Sequence, residues 1–134
     1  MTSERSQIYY TCTFLHVSFQ AIQDAVEKSD KGDDTPCWLD ARLLGMLLGE
    51  LRKCRQDASP FPMVCQSLDT AIYHCGLLMA QCPAAVNRRL CRHHLEATMA
   101  PLKEATACLS GKAAQATTDS HASSLQRLRG WLGW

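Results

Sequence analysis

Net charge is the first thing this chain lacks. Its 14 Lys and Arg stand against 13 Asp and Glu, leaving +1 at pH 7. No bulk electrostatic field therefore draws it to nucleic acid or to an anionic membrane, and no nucleic-acid partner is expected. The basic residues are scattered, apart from Arg88-Arg89 and Arg92. Long apolar runs are also missing. The longest, Leu43–Leu48, holds a glycine and is bounded by charges, so no transmembrane segment is predicted. The opening MTSERSQIYYTC is polar and has no cationic start with an apolar stretch behind it, which predicts no secretory leader. No glycine-rich phosphate loop, nucleophile elbow or metalloprotease signature occurs, and no repeat at a period of 20–50 residues. These absences remove the usual enzyme signatures. No residue is named as catalytic, no cofactor is expected, and the chain is read as a non-enzyme.

Cysteine is what the chain has in excess: eight in 134 residues. In a secreted chain that count would predict a disulfide framework. The positions argue otherwise. Cys65, Cys75 and Cys82 recur with Leu68, Ile72 and Met79 in steps of 3, 4, 3, 4, 3, one stripe on one helix. Residues ten apart on a helix are about 15 Å apart and cannot bridge. Thiols in such a stripe behave as small hydrophobes, and the compartment predicted is a reducing one: the cytoplasm, with the nucleus next and the mitochondrial intermembrane space after it.

Hydrophobic content of 46% with 20% charge is that of an ordinary globular domain, and the length suits one domain. The spacing predicts four helices. The first covers residues 4–28, capped by Ser3, with Ile8, Cys12, Leu15, Phe19, Ile22 and Val26 as its seam. Tyr9, Tyr10, Phe14 and Val17 widen that face, so the helix is expected to touch two neighbours. Residues 29–35, SDKGDDT, read as a loop. Thr35 then caps a second helix that has Pro36 at its first position and runs to Asp57. Its seam is Leu44, Leu47, Leu51 and Cys54, flanked by Trp38, Leu43 and Leu48. Gly45 and Gly49 sit four apart, a modest local cost to the helix unless a neighbour approaches there. ASPFP at 58–62 is a turn with Ser59 as cap, and the third helix covers residues 61–81. Pro83 is expected to stop it and open the fourth at once, through Val86, Leu90, Leu95, Met99, Leu102 and Leu109. Pro101 predicts a kink or break, and Ser110-Gly111 a stop. The stretch 60–91 is thus read as the central hairpin. Leu68, Ile72, Cys75 and Met79 are expected to be buried.

The fold class that follows is all-α: an antiparallel up-down-up-down four-helix bundle over residues 1–111, a linker at 112–123, and a short C-terminal amphipathic helix at 124–134. In that last segment Leu128, Trp131, Leu132 and Trp134 share the apolar side. They can cover one end of the bundle or dock on a partner, and they leave peripheral membrane contact open.

Two chemistries deserve weighing against ordinary core packing. His74-Cys75, Cys82 and Cys91-Arg92-His93-His94 gather near the expected hairpin turn, with Cys75, Cys82, Cys91 and His94 as a donor set suited to zinc. The spacing fits no standard zinc pattern, and adjacent His93 and His94 point about 100° apart on a helix, so at most one joins. Buried thiols with solvated histidines are the plainer reading. Cys65 and Cys75 are separated by nine residues, Cys82 and Cys91 by eight. The arrangement resembles the disulfide-bonded hairpins of small intermembrane-space proteins, with the second pair one residue short.

The run LLGMLLGELRKCRQ, a proline-bearing turn and then VCQSLDTAIYHCGLLMAQC is similar to the N-terminal helical bundles of fungal NLR-type (STAND) receptors and related HeLo-like domains. The resemblance spans residues 38–82. It implies a signalling or self-associating helical module rather than a catalyst, and it assigns no site residue. The expectation from the whole sequence is therefore a non-enzymatic protein–protein interaction module: an adaptor, signalling or assembly subunit that binds a protein partner or itself. Tyr10, Phe14, Leu128, Trp131, Leu132 and Trp134 are its candidate contacts. The alternative is a thiol, zinc or disulfide-hairpin protein using the Cys/His cluster.

Overall fold

The computed structural model describes residues 3–28, 36–37, 39–81 and 86–111. The expected loop at 29–35, Trp38, Cys82, Pro83, the 112–123 linker and the C-terminal segment lie outside these residues. Among the described residues the regular structure is helical but for one two-residue pairing. The elements run α1 (Ser3–Lys28), β1 (Pro36–Cys37), α2 (Ala41–Asp57), α3 (Pro62–Met79), β2 (Val86–Asn87) and α4 (Arg88–Ser110). None of these helices is long and apolar enough to cross a membrane.

The helices close a ring of neighbours: α1 beside α2, α2 beside α3, α3 beside α4, and α4 beside α1. The α3–α4 contact is the most extensive, as the central-hairpin reading anticipates. At one end of the α1–α4 contact, Arg5 of α1 reaches Leu109 of α4. At the other, Glu27 of α1 pairs with Arg92 of α4 at 2.6 Å, and Gln23 meets Glu96. Between α2 and α3, Arg55 pairs with Asp69 at 2.9 Å, and the Cys65 thiol donates to the Ala58 carbonyl at 3.0 Å.

Hydrophobic spacing accounts for the ring. Ile8, Cys12, Leu15, Phe19 and Val26 of α1 are buried, and so are Leu44, Leu47, Leu48, Leu51 and Cys54 of α2. Phe19, Leu47, Leu51, Leu68, Leu95 and Leu102 are fully buried, each worth about 1.5–3 kcal/mol gross. On α3 the buried track is Val64, Leu68, Ala71, Cys75 and Leu78, in steps of 4, 3, 4, 3. The expected stripe shares only Cys65, Leu68 and Cys75 with the buried set, while Ile72 and Met79 sit half-buried at its border. On α4 the track is Cys91, Leu95, Thr98, Leu102, Ala105 and Leu109, in steps of 4, 3, 4, 3, 4. Leu90, expected in the core, is exposed, because it lies one position off that track. Thr98 fits inside because its hydroxyl donates to the His94 carbonyl at 2.8 Å, which removes the cost of burying it.

Two helix starts differ from expectation for a capping reason, and the cap of a third falls on another residue. Helix α2 starts at Ala41, not at Pro36, because the Asp40 carboxylate accepts from the amides of Arg42 and Leu43 at 2.9 and 3.2 Å. Pro36–Cys37 instead pairs antiparallel with Val86–Asn87. Helix α4 starts at Arg88, not at Pro83, because the Asn87 side chain accepts from the amides of Arg89 and Leu90. The α3–α4 connection is correspondingly longer than the abrupt proline junction. Helix α3 has Phe61 at the cap position without a side-chain bond, in place of Ser59. Pro62 at its first position has no amide to satisfy there. Pro101 does not break α4: the helix runs through it, with the ring buried. Gly111 ends α4 at φ 83, the left-handed conformation that favours glycine at a helix stop.

Candidate functional site

Two places carry side chains that core packing does not explain. The first is the outer face of α1. Tyr10, Phe14 and Val17 recur at i, i+4 and i+7, and are 68%, 57% and 59% exposed. They do not give α1 its second neighbour; α1 reaches α2 and α4 through its seam instead. Tyr10 and Phe14 border a shallow groove with Ser6, Gln7, Thr11 and Glu50 of α2. Met46, one turn before Glu50 on the same side of α2, is also exposed. The hydroxyls of Thr11, Thr13 and Ser18 donate to the carbonyls of Gln7, Tyr9 and Phe14 on their own helix. Their donors are thus already satisfied, which leaves the strip around Tyr10, Phe14 and Val17 more apolar than its composition suggests.

The second is a histidine cluster between α3 and α4. His74 Nδ1 and His94 Nδ1 stand 3.5 Å apart. His93 joins from the surface, its ring 6.2 Å from that of His74 and 5.2 Å from that of His94. Helical geometry sends the two neighbours different ways: His94 is buried and His93 exposed. Burial holds His74 and His94 below the usual imidazole range, and the nearby His93 lowers both further. Sequence spacing alone pairs His94 with cysteines. The structure pairs it with His74 across the α3–α4 contact.

Cys75 and Cys91 are fully buried, and Cys65 and Cys75 are free thiols. Burial pushes the Cys75 thiol up to about 11, so it stays protonated and unreactive at neutral pH. Cys82 lies outside the described residues. Among the described residues no group of three His, Cys, Asp or Glu side chains is placed to hold a metal ion. The C-terminal candidates Leu128, Trp131, Leu132 and Trp134 also lie outside them. No family model, curated protein or solved structure matches this chain.

Proposed function

We propose that this chain is a non-enzymatic helical interaction module, an adaptor, signalling or assembly subunit of the cytoplasm. The observation that carries the reading is the exposed apolar stripe Tyr10, Phe14 and Val17 on α1. Large apolar side chains grouped at helical spacing on an outer face are what a partner helix or a second copy would cover. The framework we propose for it is the antiparallel up-down-up-down bundle. Contacts between neighbouring helices support that topology: the start of α1 meets the end of α4 (Arg5 with Leu109), the end of α1 the start of α4 (Glu27 with Arg92), and Arg55 meets Asp69 and His74 meets His94 across α2–α3 and α3–α4. The resemblance of residues 38–82 to HeLo-like bundles points to the same signalling role. The reducing compartment is supported by four buried thiols outside any disulfide, Cys12, Cys54, Cys65 and Cys75.

The test is a Tyr10→Ser/Phe14→Ser double variant of the full chain, followed by sedimentation equilibrium and by co-purification from the native host. We expect an unchanged melt and lost association. Association that survives the double variant removes the stripe from the interface. Truncation after Ser120 then separates the tail: an unchanged melt with lost association assigns the contact to Leu128, Trp131, Leu132 and Trp134. A second reading, a thiol or zinc protein built on the α3–α4 pair, draws on the His74–His94 contact. Bound zinc in the purified protein and a native thiol count below that of the denatured chain would favour it.

A further inference from the structure

Cys12 of α1 and Cys54 of α2 are 42 positions apart in sequence, yet their sulfurs stand 3.8 Å apart in the buried α1–α2 contact. A disulfide needs about 2.05 Å, so closure asks for a sulfur movement of about 1.8 Å. The two thiols are not equivalent. Cys12 is sealed from solvent, whereas Cys54 lines a surface recess with Gln7, Thr11, Asp57 and Ser59. Other thiols of the core lack this combination. Cys65 already donates to the Ala58 carbonyl, and Cys75 is fully buried.

We propose that Cys12 and Cys54 form a dithiol–disulfide site that takes a peroxide as oxidant, with Cys54 attacked first and Cys12 resolving. The recess decides the class of oxidant. Glu4 and Asp57 line it, so an anionic disulfide such as oxidised glutathione is disfavoured, while uncharged hydrogen peroxide is not. The hydrogen bond from the Cys12 thiol favours the Cys54 thiolate and holds it below its ordinary range, against the opposing effects of burial, Asp57 and Glu50. The same contact and its burial push Cys12 up, which keeps it the proton carrier.

In the first step the Cys54 thiolate attacks one peroxide oxygen. An S–O bond forms, the O–O bond breaks, and the departing hydroxide takes up the proton Cys54 has lost, leaving as water. In the second, Cys12 sulfur attacks Cys54 Sγ. An S–S bond forms, the S–O bond breaks, and the hydroxyl leaves as water with the Cys12 proton. Two thiols and one peroxide give one disulfide and two waters, with two electrons passing to the peroxide.

The test treats the full chain with hydrogen peroxide, then alkylates it under denaturing conditions. We expect alkylated cysteines to fall from the eight of the sequence to six, the mass to fall by two hydrogens before alkylation, and peptide mapping to join residues 12 and 54. Dithiothreitol should restore all eight. In Cys12→Ala, which keeps a small apolar side chain in the core, Cys54 should instead accumulate as a dimedone-trapped sulfenic acid. Eight alkylated cysteines after peroxide, or a disulfide joining any other pair, would overturn the proposal. The wild-type mapping decides it even if the variant does not fold.

Discussion

Arg5 Nε donates to the Leu109 carbonyl at 2.7 Å, tying the first turn of α1 to the last turn of α4. A second donation, from Nη2 to the Cys108 carbonyl, is 3.0 Å long. The last carbonyls of a helix have no partner within it, and a cation there also meets the negative end of the helix dipole. The guanidinium further lies 5.7 Å from the Phe61 ring centroid, so one side chain joins α1, α4 and the α2–α3 turn. Arg5→Ala should cost about 1–2 kcal/mol of stability by urea unfolding. Arg5→Lys should recover only part, because an ammonium lacks the planar fork by which Nε and Nη2 hold two carbonyls at once. Lys53→Ala, on the exposed side of α2, should stay within about 0.5 kcal/mol of wild type. An Arg5→Ala value that small would mean the contact contributes nothing.

The centre of the α3 track is Leu68 with Ala71 and Cys75, not Ile72. Leu68→Ala should cost about 2–5 kcal/mol, because its fully enclosed site can collapse only in part. Leu68→Asp should leave no cooperative melt, since its carboxylate would be buried without a partner. Ile72→Asp should remain folded at a lower melting temperature, because the carboxylate can reach water from a half-buried position. Circular dichroism melts of both Asp variants decide this, and equal damage would put the core centre between them.

This one-residue shift shows what was legible. Large apolar side chains at helical spacing revealed all four helices and most of the α1 and α2 seams. The α3 and α4 tracks run through Ala71, Thr98 and Ala105. Small or polar residues carry little hydrophobic signal, so the heavier side chains Ile72, Met79 and Leu90 drew the expected stripe to one side. Proline misplaced two helix starts, since Pro36 and Pro83 fit a first helical position as well as they fit a turn. Asp40 and Asn87 win because they supply acceptors to free amides, which proline cannot do. The exposed Tyr10–Phe14 pair was recognisable as surplus to the seam. The hairpin brought His74 near His93 and His94, but not their pairing, and the Cys12–Cys54 contact was not legible at all, because it joins different helices and depends on their relative height.

The His74–His94 contact should make stability fall in mild acid. Both imidazoles are held below the 6.5 of an ordinary histidine by burial and by neighbouring His93, so the folded state takes up protons at lower pH than the unfolded chain. Above about 6.5 both states are neutral and the full stability is present. As pH falls toward the depressed folded values, the unfolded state binds more protons and stability is lost. Urea unfolding at about pH 7.5 and about pH 5.5 should show the drop. A His74→Gln/His94→Gln variant should flatten it, leaving a residue from His16, which burial and Lys103 also lower. An undiminished slope in that variant would place the proton uptake elsewhere.

Gly45 and Gly49 lie on the same helix yet face different surroundings. A Cβ at Gly45 would stand 3.2 Å from Met79 Cε, whereas one at Gly49 would meet nothing within 4 Å. Glycine inside a helix costs up to about 1 kcal/mol relative to alanine, chiefly through backbone entropy. Gly49→Ala should therefore stabilise the protein by about 0.5–1 kcal/mol, with no contact to offset the gain. Gly45→Ala makes the same entropic gain but requires the Met79 thioether to move by a few tenths of an ångström. The end of a methionine is flexible, so the variant should fold and fall short of Gly49→Ala. In a Met79→Ala background the obstructing methyl is gone, and Gly45→Ala should recover the full gain. The cycle of Gly45→Ala, Met79→Ala and the double variant measures that coupling directly. A coupling of zero, with Gly45→Ala already equal to Gly49→Ala, would show that α2 and α3 are not in contact at Gly45.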